Sequence, residues 1–320
     1  MATSQRINES GEAKASRWRV PALPWPAAQI VTFLAAASIL IVTGMLVYQL
    51  WTGSELSRAK SGWGFVTGRE WDPVAGNFGA LPFAFGTVAT SMLALLISIP
   101  MGLGAAIFLA ELAPRRISDT LTFLIELLAA VPSVIYGLLG IFLLVPLLQA
   151  VVVPALRSVL GFLPIFKGAF YGVSIFSASV VLAIMIIPFI VSVSREVLLA
   201  VPQDQREAAL ALGATKWEST WKIVVPYALR GILGSVFLAL ARALGETMAV
   251  TMVIGNTPQI QPSLLAPGYS IAAVIANEFS EATSDFYQQA LIELGLVLFA
   301  LTIVINALAR ALVLTIGRKA

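Results

Sequence analysis

Six long apolar runs constrain this chain more than any other feature. They cover roughly residues 28–51, 83–110, 121–151, 173–194, 232–254 and 290–316 of 320. Each can cross the ~30 Å hydrocarbon core of a bilayer as a helix rising ~1.5 Å per residue. Backbone in lipid has no water to bond, so such a chain is expected to fold as an all-α, polytopic membrane protein with six transmembrane helices. Composition agrees, with 58% of residues hydrophobic and 12% charged, against about a quarter charged in soluble domains. The chain has neither His nor Cys. That excludes imidazole and thiolate metal sites, disulfides, Ser-His-Asp triads and Cys-His pairs. A net charge of +3 offers no support for a nucleic-acid role.

The layout follows from these runs. Residues 1–27 read as a polar, basic N-terminal tail carrying Arg6, Lys14, Arg17 and Arg19, with a proline-rich linker at 20–26. The run at 28–51 is too long for a signal-peptide core, so it reads as an anchoring first helix. An outer segment, 52–82, leads into a five-helix core, 83–316, which contains a loop at 195–230, and residues 317–320 close the chain. The third run is over-long and contains Pro132 and Pro146, so part of it should kink, tilt or leave the bilayer. Of the 20 basic residues, 14 fall on the side of the termini and the 195–230 loop, and five on the other. The positive-inside bias therefore places both termini and that loop in the cytoplasm. No lysine follows a glycine, so there is no nucleotide-binding Gly-Lys phosphate loop, and energy for active transport would have to come from another subunit.

The 195–230 loop holds the sharpest local signals. Pro202 suits the first position of a helix, with Asp204 and Glu207 near its positive end. Gly213 supplies a left-handed stop. Thr215 and Glu218 form a capping box that starts a second helix, with Trp217 and Trp221 on one face and Pro226 as its end. A short hairpin beneath the membrane results. It can serve as an interfacial anchor or as a docking element; a DNA-reading role fails because spans flank it closely.

Charges inside apolar runs cost on the order of 3 kcal/mol or more, so each needs a reason. Arg242 and Glu246 lie four apart in the fifth run, on one helical face near mid-span, with Gly245 between them. They form either a buried ion pair stapling the bundle or part of a substrate path. In the path reading Arg242 grips an oxyanion, and Glu246 keeps the grip from becoming too tight. In the third run, Pro132 breaks the helix beside Ser133 and Tyr136, which supply polar groups there. Glu126 is either part of this path or an interfacial charge. Glu293 carries no assignment.

The spacing of Glu207, Ala208 and Ala209, then Gly213, then Ile223 and Pro226, resembles the EAA loop of ABC-importer permeases, the inner-membrane components of binding-protein-dependent transport systems. Val225 stands where leucine is commoner in that family. The resemblance implies a type I importer permease (MetI-like) fold, with the hairpin docking into a cleft of a cytoplasmic ATPase. Further stretches resemble the PstC branch of phosphate permeases: 70–73, 78–82, 85–87, 99–102, 108–111, 130–137, 241–250, 254–256 and 275–279. The likeness spans about residues 60–315. It implies a non-catalytic bacterial inner-membrane subunit that forms the path for inorganic phosphate. Its implied partners are a PstA-like second permease, two PstB-like ATPases that bind the ATP and Mg, and a PstS-like phosphate-binding protein. No cofactor in the chain itself is implied.

Other readings stay open: a permease for another oxyanion such as sulfate or molybdate, or the sister PstA-type subunit. An intramembrane enzyme lacks a Ser-Lys pair that can be placed together in one span, and a stand-alone channel leaves the hairpin unexplained. The outer stretch 255–289 has no Lys or Arg but contains Glu278, Glu281 and Asp285. It is either an acidic mouth favouring delivery by a docked carrier or a solvated cap.

Overall fold

The computed structural model describes residues 25–316. The basic tail and most of the proline-rich linker, together with residues 317–320, lie outside the described residues. Among those described, six helices are long and apolar enough to cross a membrane: Ala27–Gly53, Leu81–Leu112, Ser133–Leu160, Ile175–Leu199, Lys216–Leu244 and Asp285–Ala311. The fold is helical as expected, apart from two strands of two residues each, Trp71–Asp72 and Asn77–Phe78.

Through Gln49 the first span belongs to a separate unit. Ile30, Phe33, Leu40 and Met45 on its different sides are exposed. Its hydroxyls bond to its own backbone, Thr32 to the Ala28 carbonyl and Thr43 to the Ile39 carbonyl. A helix with apolar side chains on every side and no unpaired hydroxyl suits a lipid environment.

In the second unit the fourth span, Ile175–Leu199, is central, with 72% of its apolar window buried. Leu182, Ile186 and Ile190 are fully enclosed. The second and fifth spans pack along it. In lipid such contacts rest on close packing and hydroxyl bonds more than on transfer from water. The Ser194 and Ser235 hydroxyls accordingly meet at 2.7 Å between the fourth and fifth spans.

Two spans differ from the boundaries expected. The third begins at Ser133, after an amphipathic helix at Arg115–Ala129 and a break at residues 130–132. Proline removes an N–H and pushes the preceding residue out of the helical region, so the apolar run divides at Pro132. Pro146 does not break it, because wide π-type turns at Gly140–Leu144 and Leu148–Val152 flank it within a continuous helix. The fifth span runs from Lys216 to Leu244 and not over 232–254. It stops at Gly245 (φ −96°, ψ 2°), and a separate short helix follows at Met248–Val253.

On the far side from the 195–230 loop, residues 55–80 and 255–284 form a cap with an aromatic core. Trp71 pairs with Phe78 across the two strands and meets Phe83 edge-on at 4.8 Å. Phe78 stacks on Tyr287 at 5.4 Å. One oxygen of Glu278 accepts from both Trp71 Nε1 at 2.8 Å and the Tyr287 hydroxyl at 2.6 Å, binding the two outer segments together. Glu278 therefore has an internal structural role. Burial, opposed by the Asn277 amide and reinforced by Glu278, pushes the neighbouring Tyr269 hydroxyl up to about 12.

Candidate translocation and coupling sites

The two helix breaks come together. The half-helices that follow them, Ser133–Leu139 and Met248–Val253, pack on one another. Gly137 sits so close to Met252 and Ala249 that a Cβ there would meet Met252 Sδ at 2.5 Å. Here glycine is required by the close approach of two helices. Broken helices leave backbone groups unpaired, which is tolerable at membrane depth only inside protein or beside a polar path. Local side chains answer part of this need. The Tyr136 hydroxyl reaches back across the first break to the Leu128 carbonyl at 2.7 Å. Glu246 Oε1 accepts from the Ala249 N–H at 3.3 Å and so caps the second half-helix.

Arg242 occupies the last turn of the fifth span, where a cation faces the negative end of the helix dipole. Its side chain is exposed, and its charge acts on Tyr136. The expected shared face with Glu246 is not formed, because the helix ends at Leu244 between them. No ion pair joins the two among the described residues. A stapling salt bridge is therefore not what these residues make. Ser133 is half-buried at the start of its half-helix. Glu126 lies on the preceding amphipathic helix, outside the span, with an exposed side chain. The Pro132 break separates it in the chain from Ser133 and Tyr136.

The hairpin forms as its sequence predicts, with two adjustments. Its first arm is Gln203–Ala211, and Pro202 stands one residue before the helix. Gly213 adopts φ +86° with open space around it, so the backbone conformation and not crowding requires glycine. The Gly213 and Ala214 N–H groups close the turn onto the Leu210 and Ala209 carbonyls at 3.0 and 3.1 Å. The capping box is complete: Glu218 N–H donates to Thr215 Oγ1 at 3.2 Å, and Thr215 N–H to Glu218 Oε2 at 3.0 Å. Trp217 and Trp221 meet edge-on at 5.5 Å.

Pro226 does not end the second arm. A wide turn at Thr220–Val224 absorbs the missing N–H and the ring, so the arm continues into the fifth span as one helix. Glu207, Ala208, Leu212 and Gly213 are exposed, Leu212 at 90%, whereas Ala209 is buried and Ile223 half-buried. Trp217 and Trp221 of the second arm are likewise exposed.

The structure adds a contact that no spacing rule reveals. Arg206 Nη2 donates to Glu111 Oε1 at 2.9 Å and Nε to Oε2 at 3.4 Å. The same guanidinium donates to the carbonyls of Leu198, at 2.8 Å, and Val201. Glu111 lies in the last turn of the second span, Leu198 at the end of the fourth, and Val201 in the connection that follows it. A charge at the very end of an apolar run was the available signal for Glu111.

Residues 98–318 match the family described as binding-protein-dependent transport system inner membrane component. The chain belongs to that family. The matched region contains both helix breaks and the hairpin. The chain is 45% identical over 292 residues to the phosphate transport system permease protein PstC of Mesorhizobium japonicum, covering 90% of this chain and 89% of that protein. It is 45% identical over 295 residues to the protein of the same name in Pasteurella multocida, covering 91% and 92%. Among solved structures, a bacterial ABC transporter involved in the import of the acidic polysaccharide alginate superposes with TM-score 0.56 at 18% identity, over 90% of this chain and 98% of that chain. That likeness concerns the fold, which is that of an ABC importer permease. As a member of this family the chain is a multi-pass membrane subunit that works with a substrate-binding protein and an ATPase.

Proposed function

We propose that this permease forms, as the PstC-type subunit, part of the inner-membrane path of an ATP-driven importer of inorganic phosphate. The observation that carries the reading is the 45% identity to phosphate permeases over about nine-tenths of both chains. The chemistry at the helix breaks supports it. Arg242 is a permanent cation whose planar fork suits a tetrahedral oxyanion, and no carboxylate pairs with it among the described residues. Ser133 adds a hydroxyl beside the first break, whereas the Tyr136 O–H is held by the Leu128 carbonyl and shapes the break. Glu246, engaged in capping, limits the net positive charge so that the anion can leave.

In this reading the assembly comprises a PstA-like second permease, two PstB-like ATPases and a PstS-like phosphate-binding protein. ATP and Mg bind to the ATPases, and the present chain performs no catalysis. Both termini and the hairpin face the cytoplasm. The exposed ridge at Glu207, Ala208 and Leu212 seats in the ATPase, with Gly213 setting the angle between the two arms.

The test is uptake by the complete complex in proteoliposomes. Wild-type complex should take up phosphate in preference to sulfate and molybdate, and Arg242→Gln should abolish uptake while all subunits still co-purify. Preferential sulfate or molybdate uptake would overturn the substrate assignment. Near-normal phosphate uptake by Arg242→Gln would remove Arg242 from the path.

A further inference from the structure

We propose that Arg206 and Glu111 form a transmission clamp that makes the second and fourth spans follow the coupling hairpin. The inference rests on the reading that this hairpin contacts the ATPase. The fifth span needs no clamp, since it continues the hairpin's second arm as one helix, Lys216–Leu244. The first arm, Gln203–Ala211, joins the fourth span only through residues 200–202, and it has no chain connection to the second span at all. Without a polar link, a push on the first arm would reach these spans through that short connection and the buried apolar cluster holding Val201, Leu198 and Leu109.

Arg206 adds a directional polar link to that packing. Its guanidinium engages both Glu111 oxygens, the Leu198 carbonyl at the end of the fourth span and the Val201 carbonyl of the connection itself. The Arg206 and Glu111 side chains are only 19% and 11% exposed, so they are screened far less than surface ion pairs. The fork fixes orientation as well as distance, which a single flexible ammonium does not do. Other polar links brace the two spans that the clamp engages. Arg195, on the fourth span, donates to the Ser118 hydroxyl at 3.3 Å, and Ser118 donates to the Leu109 carbonyl of the second span at 2.8 Å. The second and fourth spans are therefore held to one another independently of the hairpin. Arg206 is the charged link that joins that pair to the first arm of the hairpin.

Glu111→Gln keeps the shape at this position and leaves Arg206 its two carbonyls, so it tests transmission without removing the cap on the fourth span. In the complete complex, the ATPase should still co-purify and carrier-stimulated ATP hydrolysis should continue. Phosphate taken up per ATP hydrolysed should fall about tenfold or more, the scale of losing one buried charge-assisted hydrogen bond. A second test exploits the absence of cysteine from the chain. With partner-subunit cysteines replaced, a Glu111→Cys/Arg206→Cys double variant can be joined by a short reducible bis-methanethiosulfonate linker. Uptake per ATP should be high with the linker and fall on adding dithiothreitol to the same assembled sample.

An unchanged uptake per ATP in Glu111→Gln, or indifference of the double variant to the linker, overturns the clamp. So does loss of the ATPase from Glu111→Gln, which would make the pair part of the docking face itself. Glu207→Arg and Gly213→Asp serve as separate controls. If both retain the ATPase and normal uptake, the docking reading fails, whereas linker-reversible coupling is read independently of them.

Discussion

The 195–230 hairpin and the paired helix breaks are built in opposite ways. The hairpin is made by near neighbours: Thr215 with Glu218, Gly213 with Leu210, Trp217 with Trp221. The breaks obtain their meaning from distance in sequence, with Gly137 seated against Ala249 and Met252. The first region is a locally encoded part that presents a face outward. The second depends on contacts between residues more than a hundred positions apart. This difference teaches that damage to either should have a separate signature, in ATPase attachment for the hairpin and in passage of the anion for the breaks.

The largest effect that would sharpen this contrast is at Arg242. Arg242→Gln should lower uptake by about two orders of magnitude, the upper range for losing a charged hydrogen-bond partner, with Arg242→Lys falling between it and wild type. The ATPase should remain bound in both; its loss would break the comparison. Next comes Gly137→Val, which forces apart the half-helices against Met252 and should destabilise the bundle by about 1–3 kcal/mol. A lowered Tm of the detergent-solubilised complex would report it, and Met252→Ala in the same chain should recover part of the loss. Gly213→Val should cost about 1–2 kcal/mol at a left-handed position, seen as weaker ATPase co-purification with little change in bundle melting. Smallest is Thr215→Ala, worth about 1 kcal/mol of helix capping, measurable as a modest drop in ATPase affinity.

What could be read in advance follows the same division. Six apolar runs suffice to count the spans, because the hydrocarbon thickness imposes a length. The capping box and the Gly213 stop are readable because their partners lie three to five residues apart. The end of the fifth span at Leu244 is not, since the apolar run continues past Gly245 and a four-residue spacing of Arg242 and Glu246 suggests uninterrupted helix. Pro226 misleads in the other direction: proline normally stops a helix, but the wide turn at Thr220–Val224 accommodates it. The Pro132 break is announced by its residue type, yet where Glu126 falls relative to it depends on where the preceding amphipathic helix lies. The Arg206–Glu111 contact, 95 residues apart, is beyond any local rule.

The uninterrupted helix from Lys216 to Leu244 has a consequence of scale. Its 29 residues extend about 43 Å at ~1.5 Å per residue. One end carries the tryptophan pair of the hairpin, the other the Arg242 guanidinium. In the proposed importer it would serve as a lever between the ATPase-docked hairpin and Arg242. Tilting such a rod by about 5° about its cytoplasmic foot sweeps its tip through roughly 4 Å, comparable to the width of a phosphate ion.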